Sequence, residues 1–261
     1  MRARRIWGLI QRHLFVWRRN IASLSDLFYW PMVDLLVLGF LATYLVRQGL
    51  PFIIAFLLGG VILWDIFFRI QQGISVSFMM EMWSRNLLNL FVSPLSVREF
   101  LVAMMVYGMI KIAVTTTLMV TAAWFLYKFN IFAGGLAVVP FAVGLILFGW
   151  AIGTVVTGLL LRFGLAAETV AWSLAFLFQP FGAVYFPLSA YPEWLRHILW
   201  FLPLPHAFEG LRDALGGRGF NLTHAAWLAA LDIVALALAF AFFEWMFREA
   251  LRRGALLKAT E

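Results

Sequence analysis

Four ionisable residues stand inside long apolar runs: Asp34, Asp65, Lys111 and Asp232, with Arg69 and Glu244 near the ends of two such runs. A charge at the centre of a bilayer costs about 2.5–3.5 kcal/mol on insertion scales, so each must face protein or water. Two chemistries suit residues so placed. They can form a polar pathway or ion relay, or they can pair and hold helices together. Both readings stand at the level of sequence. The sequence carries no G-x-x-x-x-G-K-[ST] phosphate loop, no H-E-x-x-H zinc pair and no G-x-S-x-G nucleophile turn. His13, His197, His206 and His224 fall at no metal-ligand spacing and lie near the ends of apolar runs, an ordinary place for an amphipathic ring. With no cysteine, disulfides and thiolate metal sites are excluded.

Aromatic residues form the second group. Trp64, Phe67, Phe68, Trp150, Trp172, Phe176, Phe178 and Phe181 can line a route for an amphipathic or sugar-containing molecule by stacking, or serve as ordinary helix-packing surface. Phe67, Trp172, Phe176 and Gln179 are the candidate path residues among them. Gln179 precedes Pro180, and a proline within a helix frees a carbonyl one turn earlier. Gly149 and Gly153 make a G-x-x-x-G pair, flanked by Gly144, Thr157 and Gly158, that suits close helix approach.

These residues need a scaffold, and the composition restricts what it is. Of 261 residues 64% are hydrophobic and only 13% charged, against about a quarter charged in soluble domains. The mean hydropathy is +0.91. Apolar runs near 27–46, 52–70, 101–126, 136–160, 169–186 and 225–247 are each about long enough to cross a bilayer. Backbone amides in hydrocarbon need internal partners, and the alternation of a barrel is missing, so the runs predict helices. The fold class expected is an all-α integral membrane protein of six transmembrane helices. One domain spans 1–261: an interface helix at 1–20, a six-span bundle over 27–247 and a cytoplasmic tail at 248–261.

The opening segment is amphipathic. Ile6, Leu9, Ile10, His13, Leu14 and Trp17 share one arc of a helical wheel, and Arg4, Arg5, Arg12, Arg18 and Arg19 occupy the other. Such a helix lies in the headgroup plane, and a cleaved signal peptide fits it less well. Charge then sets orientation. With the N-terminus inside, the inner segments hold Arg2, Arg4, Arg5, Arg12, Arg18, Arg19, Arg69, Arg85, Arg98, Arg162, Arg248, Arg252, Arg253 and Lys258; the outer ones hold Arg47, Lys128, Arg196, Arg212 and Arg218. This bias predicts both termini in the cytoplasm, and it accounts for the net charge of +7 without nucleic-acid binding.

Two connections exceed a tight turn. The inner one, about 71–100, contains a short amphipathic helix near 80–91, broken by Ser93, Pro94, Leu95 and Ser96 before Arg98 and Glu99. The outer one, about 187–223, predicts two short helices, opened by Pro192 and Pro205 and closed by Gly216 and Gly217.

Local sequence goes further than periodicity. FLPLPHAFEGLR, from Phe201 to Arg212, resembles the N/L-P-L-T-H-A-V-x-A-L-R stretch of type-2 ABC exporter permeases. FPLSAYPEWL, from Phe186 to Leu195, is similar to the F-P-x-S-x-L-P-x-W-L that precedes it in that family. VSPLSVREFL, from Val92 to Leu101, resembles the inner-loop T-P-[VL]-S-R-x-E-x-L. Pro205 stands in place of the usual threonine, and Leu202 in place of asparagine. The resemblance covers about 17–247.

The resemblance implies a permease of the multidrug, lipo-oligosaccharide or polysaccharide export type, located in a bacterial inner membrane. It would bind no cofactor and have no ATP site of its own. A separate ATP-binding subunit in two copies would carry ATP and Mg, and a second permease copy would complete a homodimer among membrane lipids. The 80–91 helix matches the family's coupling helix, which assigns ATPase contact to Glu81, Met82, Trp83, Arg85 and Asn86. The outer helices match a re-entrant hairpin that shapes the outward gate through Pro187, Trp194, Pro203, Pro205, His206, Glu209 and Arg212. The alternative from a different class is an ion-coupled transporter using Asp34, Asp65, Lys111 and Asp232, and an intramembrane transferase is a third.

Overall fold

The computed structural model describes residues 3–50, 52–87, 89 and 94–252, apart from the side chains of 21–24 and 26. Its helices are α1 (Ala3–Arg19), α2 (Ile21–Arg47), α3 (Ile53–Trp83), α4 (Val97–Tyr127), α5 (Val138–Phe163), α6 (Glu168–Phe178), α7 (Glu193–Leu199), α8 (Pro203–Leu215) and α9 (Leu222–Arg252). Short 3-10 turns occupy Ile131–Ala137, Gly164–Ala167 and Leu188–Ala190, and no strand occurs among the described residues. The predicted wheel of α1 is realised: Leu9, Ile10 and His13 are buried, Ile6, Leu14 and Trp17 half-buried, and Arg4, Arg12, Arg18 and Arg19 exposed.

Among the described residues five stretches are long and apolar enough to cross a membrane: Leu27–Arg47, Ile53–Trp83, Val97–Tyr127, Ile131–Phe178 and Leu222–Arg252. The fourth of them is composite. At its bend Gly164 adopts a φ of 64°, in the left-handed region where a Cβ is strained. The run expected to be helical over 169–186 forms α6 for only 11 residues, about 16 Å, before Gln179. That is half of a hydrocarbon core of about 30 Å. Pro180 therefore stops α6 and does not kink it, and the Phe178 carbonyl accepts from the amides of Phe181 (3.2 Å) and Gly182 (2.7 Å).

Helix α3 departs furthest from the sequence boundaries. It continues 13 residues past the expected end at 70, so Arg69 lies at mid-helix and not on an inner loop. The expected short helix at 80–91 is likewise revised: Glu81, Met82 and Trp83 are the last turn of α3. Leu87 and Asn89 are helical after the turn, while 88 and 90–93 lie outside the described residues. The apolar run was interrupted by Arg69, Gln71 and Gln72, which read as a boundary. Burial on all sides allows the helix to continue. Helix α9 similarly carries 248–252 of the expected tail, and 253–261 lie outside the described residues. The second outer helix opens at Pro203, two residues before Pro205; both prolines sit in the first turn, where an amide has no intrahelical acceptor.

Helices α2, α4, α5, α6 and α8 pack around α3. Its half nearer Ile53 joins a core with Met119, Phe141, Phe148, Leu204 and Phe208. Its half nearer Trp83 joins another with Leu9, Ile10, Phe100, Met104 and Leu160. Glycines allow the approach. A Cβ on Gly149 would lie 2.6 Å from Ile70 Cγ2, one on Gly153 3.0 Å from the Gln71 carbonyl, and one on Gly73 3.1 Å from the Gly108 Cα. The G-x-x-x-G pair is thus the seam of α5 on α3.

Gly149→Leu is expected to lower stability in detergent by about 1–3 kcal/mol through overpacking of that seam. Gly8→Ala, where nothing lies within 4 Å, should leave the thermal midpoint unchanged or raise it by up to roughly 1 kcal/mol of helix propensity. Equal effects would refute the assigned seam.

Candidate functional site

Glu81 organises the end of the bundle at which α1 lies. Its carboxylate is buried and receives Arg12 Nη2 at 2.9 Å and Asn86 Nδ2 at 2.7 Å, with His13 Nε2 at 3.3 Å. Helix α3 closes there with a Schellman motif. The Arg85 amide bonds the Met82 carbonyl (2.9 Å), the Asn86 amide bonds the Glu81 carbonyl (2.9 Å), and Arg85 takes a left-handed φ of 54°. One carboxylate thus holds α1, the end of α3 and the turn beyond it.

A second acidic anchor lies beside it. Ser96 opens α4 with a reciprocal capping box: its side chain accepts from the Glu99 amide, and Glu99 Oε2 accepts from the Ser96 amide at 3.0 Å. Arg5 reaches Glu99 at 3.8 Å and also donates to the Pro94 carbonyl. Arg98 pairs with Glu244 of α9, and Arg248 reaches the same carboxylate at 3.5 Å.

Of the residues expected to contact a partner, Glu81 and Met82 are turned inward and serve as internal anchors. Trp83 is 48% exposed, Arg85 is exposed and Asn86 is half-buried. The surface available here is Trp83 and Arg85.

In the middle of α3, Arg69 Nε lies 2.9 and 3.1 Å from the two oxygens of Asp65, one turn away and buried with it. Asp34 on α2 lies within electrostatic reach of Arg69. The pair itself lies within one helix, and Thr115 of α4 also interacts with the Asp65 carboxylate. Lys111 Nζ sits over the Tyr107 ring at 5.8 Å. Asp232 is fully buried on α9, and neither carboxylate oxygen makes a hydrogen bond.

At the opposite end, Glu209 and Arg212 on α8 pair at 3.1 Å. Glu209 accepts the Leu188 amide at 2.5 Å, while Arg212 donates to the carbonyls of Ala183, Val184 (3.3 Å) and Phe186 (3.0 Å) and stacks over Phe56. These bonds satisfy the irregular backbone between α6 and α7. They also line a cavity of about 570 Å³ that Pro187 adjoins. Trp194 on α7 is exposed, whereas Pro203 and Pro205 are buried.

His206 is buried between Trp200, Trp227 and His224. Its Nε2 lies 2.7 Å from the Trp200 carbonyl and its Nδ1 lies 3.0 Å from His224 Nδ1. A carbonyl only accepts, so Nε2 carries the proton and Nδ1 accepts from His224 in the neutral pair. Burial holds the His206 imidazole below the ordinary histidine value, with the His224 ring acting in the same direction.

The candidate path residues do not form one lining. Phe67 is 0% exposed, packed on Phe148 at 5.6 Å and edge-on to Phe178, so it belongs to the core. Gln179 donates to the Tyr185 hydroxyl at 3.0 Å. Trp172 and Phe176 are exposed on α6, and Phe176 meets Phe68 at 5.0 Å. The Arg12–Glu81 and His206–His224 contacts are not legible in the sequence, since 69 and 18 residues separate the partners. The S-x-x-E of Ser96 and Glu99 was legible as a capping signal.

The family model described as ABC-2 type transporter matches residues 5–215. The chain belongs to that family. No curated protein matches the chain. The family assignment makes this a multi-pass membrane protein and a transporter permease, as the three local motifs imply. The matched region runs from α1 through α8 and contains both anchored ends of the permease.

Glu81→Ala should weaken the hold on α1 by about 1–3 kcal/mol, discounted because Arg12 stays part-exposed. Hydrogen exchange across 3–19 is the measurement, and unchanged protection there would refute the anchor. For His206, a folded pKa below about 6.5 means the unfolded chain binds the proton first. Its contribution is complete above that value and is lost as pH falls through the folded pKa. Thermal unfolding from pH 8 to 5 should show a smaller acid loss in His206→Gln than in the native permease, with other acid-sensitive groups common to both.

Proposed function

We propose that this chain is the membrane subunit of an ATP-driven exporter that moves an amphipathic, lipid-like or glycan-bearing molecule outward, with ATP hydrolysed on a separate subunit. The family match over 5–215 is the observation that carries this reading. ABC-2 permeases normally work with an ATP-binding subunit. In this proposal two such subunits, carrying ATP and Mg, serve two copies of the permease in a bacterial inner membrane. The arginine bias supports an orientation with both termini in the cytoplasm. That orientation sets the Glu81 anchor on the ATPase side and α7 and α8 on the outer side, where they would form the re-entrant gate.

The geometry supports a route for force. Trp83 and Arg85 are exposed beside a buried carboxylate that ties α1 to α3. Helix α3 runs 31 residues, about 46 Å in all, with that anchor near one end and Gly59 and Gly60, against α8 and Val184, near the other. An ATPase that contacts Trp83 differently in its two states would shift the helix between two arrangements. Trp172 and Phe176, exposed on α6, are the remaining path candidates.

The ion-coupled alternative rests on Asp232, because Asp65 is committed to Arg69. Asp232→Asn should retain transport; loss of transport together with dependence on a proton or sodium gradient would favour that alternative.

Trp83→Ala combined with Arg85→Glu should reduce co-purification of the ATP-binding subunit and substrate-stimulated ATP hydrolysis by about tenfold, as for loss of an aromatic anchor at an interface centre. The thermal midpoint should stay near that of the native chain. Transport that persists after every cognate ATPase is deleted would sink the proposal.

A further inference from the structure

Where α8 meets α9, two imidazoles face each other nitrogen to nitrogen, with 3.0 Å between His206 Nδ1 and His224 Nδ1. The far nitrogen of His206, Nε2, lies 2.7 Å from the Trp200 carbonyl. That bond fixes the ring and the place of its proton, because a carbonyl can only accept. Aromatic rings wall the contact: Trp200 stands edge-on to His206 at 4.8 Å and Trp227 lies parallel to it at 6.0 Å. Indole N–H groups donate and do not accept. Among the described residues, the partner of His206 Nδ1 is therefore His224 Nδ1.

Proton counting sets what this contact survives. In the neutral pair His224 donates from Nδ1 and His206 accepts. One added proton still leaves a single hydrogen between the facing nitrogens, in a bond that is now charge-assisted. A second proton fills every ring nitrogen. Two N–H groups then point at each other between two cations, and the His206 ring is 0% exposed, so water does not screen them. The rings must part. Charges on the neighbouring elements are engaged or distant. On α8, Glu209 pairs with Arg212 at 3.1 Å and Asp213 with Arg218 at 2.8 Å; Glu209, Asp213 and Arg212 reach His224, and His224 is the charge that reaches His206. On α7, Glu193 and Arg196 pair at 3.8 Å with His197 exposed beside them. Asp232 lies roughly two turns further along α9. The 131–137 segment and the half of α3 before Asp65 carry no charge, and Arg162 of α5 is at its other end.

We propose that His206 and His224 form a proton-operated latch between α8 and α9, closed while the pair holds at most one added proton and opened by the second. Solvated imidazoles titrate near about pH 6.5, and burial holds His206 lower while the rings are in contact. Acid therefore favours the open form. Below about pH 6.5 the ratio of open to closed chains should grow by about tenfold per pH unit, until the closed pair also takes its second proton. The latch stands apart from the cargo, direction and energy source of transport.

The test uses the full chain purified in dodecyl maltoside. The sequence has no cysteine, so Ile198→Cys on α7 and Ala229→Cys on α9, both exposed, take spin labels at two chosen positions. The Trp200 carbonyl ties the end of α7 to His206, so the label on α7 reports the movement of α8 from α9. Double electron–electron resonance from about pH 7.5 to about pH 5 should reveal a second, longer distance. Its share relative to the first should rise by about tenfold per pH unit below about 6.5 and reverse on neutralisation. His206→Gln and His224→Gln each leave one ring, which can never face a second cation. Each should give a distance distribution that does not change with pH, and either variant serves if the other folds poorly. The same acid-induced shift in either variant, or an unchanged distribution with both histidines present, would overturn the latch.

Discussion

The Asp65–Arg69 pair stands near the middle of α3, and a pair of charges at that depth is tolerable only if no lipid reaches it. The bundle meets this constraint by surrounding α3. Gly73 and Gly108 bring α4 to backbone contact, and Gly149 and Gly153 bring α5 against Ile70 and the Gln71 carbonyl. Van der Waals packing between helices is the main attraction available inside a membrane, so small residues at these seams replace the hydrophobic drive of a soluble core. The outer faces of α2 and α9 carry Val37, Phe40, Ile233 and Leu238 in exposed positions, as surfaces bound for lipid should.

Enclosing α3 also makes it the element both ends share. At one end it presents Glu81 to α1; at the other, Gly59 and Gly60 leave room for Leu211, Leu215 and the Val184 carbonyl. The two ends differ in what stabilises them. Near α1, charged side chains from distant helices meet on carboxylates. Near α8, the irregular chain after α6 has carbonyls that need donors, and Arg212 Nη2 faces three of those carbonyls while Glu209 takes the Leu188 amide. The non-helical backbone there thus finds hydrogen-bond partners within the protein.

Some of this was legible in the residues. The arc of α1, the close-packing pair at Gly149 and Gly153, and the closing glycines of α8 were readable because each depends on neighbours within a few turns. The local motifs led to the family that the match over 5–215 then established. The length of α3 was misread for a physical reason. Arg69, Gln71 and Gln72 look like the edge of a membrane when helices are considered singly, and only enclosure by other helices lets them remain inside. Gln179 and Pro180 were ambiguous between a kink and a stop, and the end of α6 at Phe178 decided for a stop.

By itself the sequence determined that this chain is a helical membrane protein, because apolar run length and charge distribution act along one dimension. It also determined the family, because that resemblance resides in contiguous residues. Tertiary structure decided which polar residues matter to one another. Glu81 passed from an expected surface contact to a buried anchor, Phe67 from a path candidate to core, and Asp65 and Arg69 to a buried ion pair. Those outcomes depend on which faces meet across dozens of residues, and a charge or ring carries no mark of its partner until the helices are packed.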